Sequence, residues 1–322
     1  MAERKRERKK LPRPRLALVS YIACLTGALL YILVAYAPAH AVTAAEVNAV
    51  SLPNVLSARG LLWSRCLMLT LNLVAMADKL RRVELKEVLH KPESALEPSV
   101  KIVLRRGVWC TFFTVQSWML QTVYLAGAAL CSASEQGLLE LRVGALSAWT
   151  LWVVYEVSFA VAILISFLVK FVIIPSTLAN GQTVAHLFTL SDLMMHNANV
   201  LFMAIELLFN ALPFEPFHFP FAALWGLFYV LFSWGWLRTA GVCWYDFLDP
   251  TLPNACIIHT VLVVVLAVFF GLGAALAKGA AALDAFSPLA RFALVLVGVA
   301  SVSRTGWLHG VPQPAAGVKR AG

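Results

Sequence analysis

Apolar and polar positions sort along this chain at the scale of whole helices. Predominantly apolar runs cover Leu16–Ala37, Leu61–Ala77, Gly107–Cys131, Ser147–Ile174, Phe219–Leu237 and Ala255–Ala277. Each approaches or passes the roughly 20 residues a helix needs to cross a bilayer. A seventh stretch, Ser191–Asn210, is also apolar overall but is punctuated by polar groups. An eighth, 286–303, has a 12-residue apolar core between Arg291 and Arg304 and either spans or lies in the interface. The pattern predicts an all-α fold, a polytopic transmembrane helix bundle of seven to eight spans. No internal repeat of the inverted-transporter kind is visible.

The punctuated stretch reads SDLMMHNANVLFMAIELLFN. Asp192, His196, Asn199, Glu206 and Asn210 follow one another at spacings of 4, 3, 7 and 4, which puts all five on one side of a 3.6-period helix. Ionisable groups inside a span are costly and normally face a bundle interior or a wet cavity, so they mark a functional site by default. This helix is expected to form one wall of a buried site centred on His196.

Composition agrees with a membrane location. The chain has 322 residues, 60% hydrophobic and 13% charged, against about 25% charged in an ordinary soluble domain. The net charge of +9 sits mostly in terminal and loop segments, as membrane topology rules demand, and does not indicate a nucleic-acid partner. Residues 1–15 form a basic arm and Asp78–Arg106 a basic loop, both assigned to the cytosol. An even number of crossings then separates them, so Leu61–Ala77 spans although Arg65 interrupts it. A cleaved signal peptide ending near Ala37-Pro38-Ala39 is the competing reading of the first run. The six cysteines are scattered in or beside apolar runs without a CxxC pair, and there is no N-x-S/T sequon. The chain divides into the arm (1–15), a two-span extension with its basic loop (16–106), a core (107–277) and a final segment (278–322).

Depth then brings two stripes level. With both helices starting at the cytosolic face, Thr114 lies ~10 Å and His196 ~7 Å inside at 1.5 Å per residue. The third span carries Thr111, Thr114, Ser117 or Trp118, and Gln121 along one side. Facing stripes would set a hydroxyl beside an imidazole in a low-water pocket, as a nucleophile and its general base require. In that scheme Asp192 orients the ring, Asn199 or Gln121 donates to an oxyanion, and Glu206 supports the pocket. Glu156 is a partner or a neutral carboxyl. Two other readings stay open. One is a proton-coupled carrier relaying through Asp192, His196 and Glu206. The other is a metal-dependent hydrolase using His186 and His259 with His196.

Three segments carry a resemblance. They are FTVQSWMLQTVYLAG (Phe113–Gly127), MHNANVLFMAIE (Met195–Glu206) and YVLFSWGWLRTAGVCWYDFL (Tyr229–Leu248). In order and interval they resemble the motifs of the androgen-induced protein and androgen-dependent TFPI-regulating protein family, over roughly 107–277. The resemblance implies a multi-pass threonine hydrolase of fatty acid esters of hydroxy fatty acids, with Thr114 as nucleophile, His196 as base, and no metal or cofactor. The substrate would be a membrane lipid entering from the bilayer of the endoplasmic reticulum or plasma membrane. This chain departs at Asp192-Leu193, where the family has an Asn-His pair, and at Asn197. It also adds an N-terminal span and the segment after 280. These differences bear on substrate preference.

Overall fold

The computed structural model describes residues 15–35, 42–179, 183–284 and 286–303. The basic arm up to residue 14, the Ala37-Pro38-Ala39 candidate cleavage site and the tail after 303 lie outside the described residues. The fold is dominated by helices: α1 (Leu16–Ala35), a short α2 (Ala44–Val47), α3 (Ala58–Arg81), α4 (Phe113–Glu135), α5 (Ala145–Leu168), α6 (Ile174–Ala179), α7 (Leu190–Leu193), α8 (Asn199–Phe209), α9 (Phe219–Ala240), α10 (Ala255–Asp284) and α11 (Pro288–Val302). Six helical stretches among the described residues are long and apolar enough to cross a membrane: Leu16–Ala35, Ala58–Arg81, Ala145–Ala179, Leu190–Phe209, Pro216–Ala240 and Ala255–Asp284. This architecture is compatible with an integral membrane protein. The third expected span appears as α4, which is not among those six, and the eighth as the shorter α11.

The central helix is α5, which packs against α4, α8 and α10. From Tyr155 through Ser166 every residue is buried, and a helix apolar all round belongs in an interior. Tyr124, Trp152, Tyr155, Phe159, Phe214 and Phe270 fill the main core around it. A second core joins α1 and α9 through Leu18, Ile22, Leu29, Leu227 and Val230. Gly241 ends α9 at φ 72, a left-handed conformation that glycine adopts without steric cost.

The fold is not purely α. Within the expected basic loop, β1 (Glu84–Leu89) pairs antiparallel with β2 (Ser99–Leu104), from Glu84 opposite Leu104 to Leu89 opposite Ser99. The tip of this hairpin docks on the loop after α9: the Ala95 amide donates to Thr251 Oγ1 at 3.1 Å and the Cys243 amide to His90 Nε2 at 3.3 Å. All six cysteines are free.

Two ion pairs join α3 to the polar helix. Arg65 meets Glu206 and Lys79 meets Asp192. Fourteen positions separate the two cations and fourteen the two carboxylates, a rise of ~21 Å along either helix. An antiparallel pair with equal spacing closes both bridges in one register. Arg65, read from sequence as an interruption, is the partner that lets Glu206 be buried. Arg291 is likewise engaged: its guanidinium donates to the Leu207 carbonyl at 2.7 Å and holds α11 to the end of α8.

Candidate functional site

The first turn of α4 begins abruptly. A 3-10 turn over Arg106–Thr111 precedes it, and Phe112 is extended (φ −82, ψ 140) with no side-chain cap for the helix. The leading amides of a helix are unsatisfied by its own carbonyls and carry partial positive charge. Here they meet the Tyr245 hydroxyl, which faces the Thr114 hydroxyl together with the amides of Phe113 and Thr114. Burial pushes the Tyr245 phenol up to about 12 although those donors pull it down. Tyr245 is therefore a neutral hydroxyl at ordinary pH. Phe112 stacks on Trp244 at 4.3 Å, Trp244 Nε1 donates to Thr111 Oγ1 at 2.8 Å, and the Tyr229 hydroxyl donates to the Thr111 carbonyl at 3.0 Å. The loop after α9 thus fixes where α4 starts.

His196 sits in the middle of a π-helical turn, Met194–Ala198, between α7 and α8. Single π turns inside α-helices are rare and frequent at functional sites. Their cost is local, because a carbonyl and an amide that would pair in an α-helix are separated. In an α-helix the His196 carbonyl would accept from the Val200 amide. In this turn Ser166 Oγ donates to the His196 carbonyl at 2.6 Å, and the Val200 amide donates to Asn199 Oδ1 at 2.7 Å. Gln121 Nε2 adds a bond to the Asn199 carbonyl at 2.7 Å. Asn199 and Gln121, expected to face an oxyanion, are therefore engaged with the backbone around His196. The turn packs on α4, where Met195 shares a buried cluster with Val115, Trp118 and Ala75.

The remaining sequence candidates fall elsewhere. Asp192, expected to orient the imidazole, accepts from Lys79 Nζ at 3.1 Å on both oxygens and from Thr189 Oγ1. Lys79 also lies 3.9 Å from the centre of the Trp109 ring. Glu206 is fully buried, with Arg65 Nε and Nη2 at 2.9 Å, the Tyr124 hydroxyl at 2.7 Å and Asn210 Nδ2 at 3.2 Å. Ser132 and the Val47 and Ala128 carbonyls take the rest of the guanidinium. Glu156 accepts from the Glu215 amide at 2.6 Å and pairs with His218 Nδ1 at 2.7 Å, anchoring the 210–218 connection to α5. His259 bonds its own helix at the Ala255 carbonyl. Among the described residues no three His, Cys, Asp or Glu side chains gather as a metal site.

Lys79, Arg65, Ser166, Tyr245 and His218 are the functional-scale residues that sequence reading passed over as candidates. Two signals were available: the matched fourteen-residue spacings, and a serine, Ser166, near the end of the fourth apolar run. Two cavities are present in addition. One, of about 370 Å³, is an apolar groove among α5, α8, α10 and α11 whose lining includes Ile163, Val200, Leu276 and Val302. The other, of about 890 Å³, lies between the ends of α3 and α9 and the turn after β2. Comparison with protein families, curated proteins and solved structures finds no match for this chain.

Proposed function

We propose that this chain is a membrane-embedded hydrolase of lipid esters in which Thr114 attacks and His196 carries the proton. The observation that carries the reading is the π turn. Three side chains, Ser166, Asn199 and Gln121, hold one irregular turn with an ionisable residue at its centre, packed on the helix that bears Thr114.

In the proposed step Thr114 Oγ bonds to the ester carbonyl carbon while its proton passes to His196. The imidazolium then protonates the leaving alkoxide as the old C–O bond breaks. A water, deprotonated by the same ring, releases the acid and restores Thr114. The negative charge forming on the carbonyl oxygen needs donors. The amides of Phe113 and Thr114, which face the Tyr245 hydroxyl, and that hydroxyl itself lie beside Thr114 and would turn to the carbonyl oxygen as substrate binds, whereas Asn199 and Gln121 hold the backbone around His196. The apolar groove offers room for an acyl chain. Val200 in its wall is one turn beyond His196, and Ile163 is one turn before Ser166. It opens where lipid would lie if α4 and α11 complete a seven- or eight-span bundle, with the N-terminus in the cytosol and the chain in the endoplasmic reticulum or plasma membrane.

Fatty acid esters of hydroxy fatty acids, implied by the sequence resemblance, are the substrates to assay first. Purified wild type is expected to hydrolyse them, Thr114→Ala to be inactive, and His196→Ala to lose on the order of 10²–10⁴-fold in turnover. Fluorophosphonate labelling at Thr114 is the second readout. Undiminished labelling and turnover in Thr114→Ala would remove the proposal. A carrier relay through Asp192 and Glu206 requires carboxylates free to exchange protons, and both are clamped by cations.

A further inference from the structure

The larger cavity lies at the end of the bundle where α4 begins, outside the hydrolase site. Its lining is Leu80, Arg81, Val83, Arg105, Arg106, Gly107, Val108 and Trp236. Arg81 is the last residue of α3, Arg105 and Arg106 form the turn after β2, and Trp236 is near the end of α9. Three guanidinium groups therefore border one concave space from two separate elements.

What distinguishes them is the absence of compensation. Their neighbours on α3 are paired: Lys79 with Asp192, and Arg82 with Asp78 at 2.7 Å. Among the described residues, Arg81, Arg105 and Arg106 have no acidic partner and no side-chain hydrogen bond, and these are the three that line the cavity. Arg106 also holds a left-handed backbone (φ 38), the only such non-glycine residue among those described. A non-glycine residue there is strained and persists where its surroundings require it. A general excess of interfacial arginine would need neither a shared concavity nor segregation from acids.

The opposite wall is apolar. Trp236 stacks toward Trp244, which in turn stacks on Phe112, and the Trp236 indole N–H has no acceptor among the described residues. Arginine favours phosphate oxygens through paired N–H donors, and tryptophan marks headgroup depth at the end of a spanning helix. At about 890 Å³ the space exceeds what a single carboxylate fills.

We infer that this cavity binds the phosphate-bearing headgroup of an anionic lipid, with Arg81, Arg105 and Arg106 on the phosphate and Leu80, Val83, Val108 and Trp236 on the glycerol and first methylenes. The site does not depend on the hydrolase reading. The same chemistry would accept free phosphate, so both sources are tested. Purified full-length protein in nanodiscs of phosphatidylcholine is titrated with short-chain phosphatidate, with inorganic phosphate and with short-chain phosphatidylcholine. Binding is read by native mass spectrometry. Wild type is expected to retain phosphatidate at least tenfold more strongly than phosphatidylcholine or phosphate. R81Q/R105Q/R106Q is expected to lose that preference, whereas R82Q, outside the cavity, keeps it. A charge-preserving R81K/R105K/R106K variant guards against misfolding and is expected to weaken phosphatidate binding several-fold while retaining bulk attraction to anionic membranes. Equal loss in R82Q, or inorganic phosphate competing at the same concentration as phosphatidate, would overturn the lipid site.

Discussion

The two ends of the pairing between α3 and the polar helix use the same chemistry in different surroundings. At one end Arg65 and Glu206 are both fully buried, and Tyr124, Ser132, Asn210 and two carbonyls complete their hydrogen bonds. At the other, Lys79 and Asp192 keep 6% and 8% side-chain exposure, and the cation shares itself with the Trp109 ring. Lys86 nearby is pushed below its ordinary range by burial, with Lys79 adding repulsion. The saturated end has nothing left to offer a ligand. The unsaturated end gathers the start of α4, the Tyr245 hydroxyl and three unpaired arginines. Charge in this protein is buried where its partners are complete, and the three unpaired arginines are exposed.

The comparison breaks first at the dry end. Glu206→Gln or Arg65→Leu leaves a partner charged and buried, a loss of about 3–5 kcal/mol. Either variant is expected to fall out of monodisperse elution on fluorescence-detected size exclusion. The double change Arg65→Leu/Glu206→Leu is expected to recover most of that loss, because a dry pair replaced by apolar groups is often neutral. Asp192→Asn is expected to cost less, about 1.5–3 kcal/mol for a charged hydrogen bond, measured as thermal stability in detergent. If the two ends cost the same, exposure is not what separates them.

Ser166→Ala sharpens the view from the middle of the bundle. Removing a hydroxyl from the His196 carbonyl is expected to cost about 1 kcal/mol of stability, yet to lower esterase turnover more than that loss explains. Unchanged turnover would leave the π turn as packing alone. The smallest effect is at Tyr245. Its folded pKa of about 12 stands above its ordinary value, so the protein holds that proton more tightly than the unfolded chain does. The resulting stability is fully present below about pH 10 and declines as pH rises toward 12. Ultraviolet difference titration of wild type against Tyr245→Phe reads the step directly.

Much of this was legible from periodicity and length. Six of the expected crossings appear as helices of spanning length, and Ser191–Asn210 faces the interior with its polar stripe buried. The stripe was read as one site because spacing reports a face and not a partner. Asp192 and Glu206 pair with α3, and only the distant Lys79 and Arg65 reveal it. The hairpin was hidden for a related reason. In ELKEVL and SVKIVL the charges that signalled a loop sit on strands whose alternation is half-exposed on both sides. The π turn has no signature in residue type, and the Ser166 hydroxyl that bonds the His196 carbonyl lies thirty positions earlier. Thr114 was found by depth, but its contact with Tyr245 depends on a loop whose path no periodicity specifies.

The matched bridges also determine how the bundle opens. A helix tied to its neighbour at two points ~21 Å apart can neither slide nor splay from it, so that flank is a closed seam. The opposite flank, where α10 and α11 meet α5 and α8 through Phe159, Ile163, Val200, Leu276 and Gly298, has no buried ion pair between helices like those of α3, though Arg291 and Lys170 bond backbone carbonyls there. Under the proposed hydrolysis, that flank is where an acyl chain dissolved in the bilayer would enter.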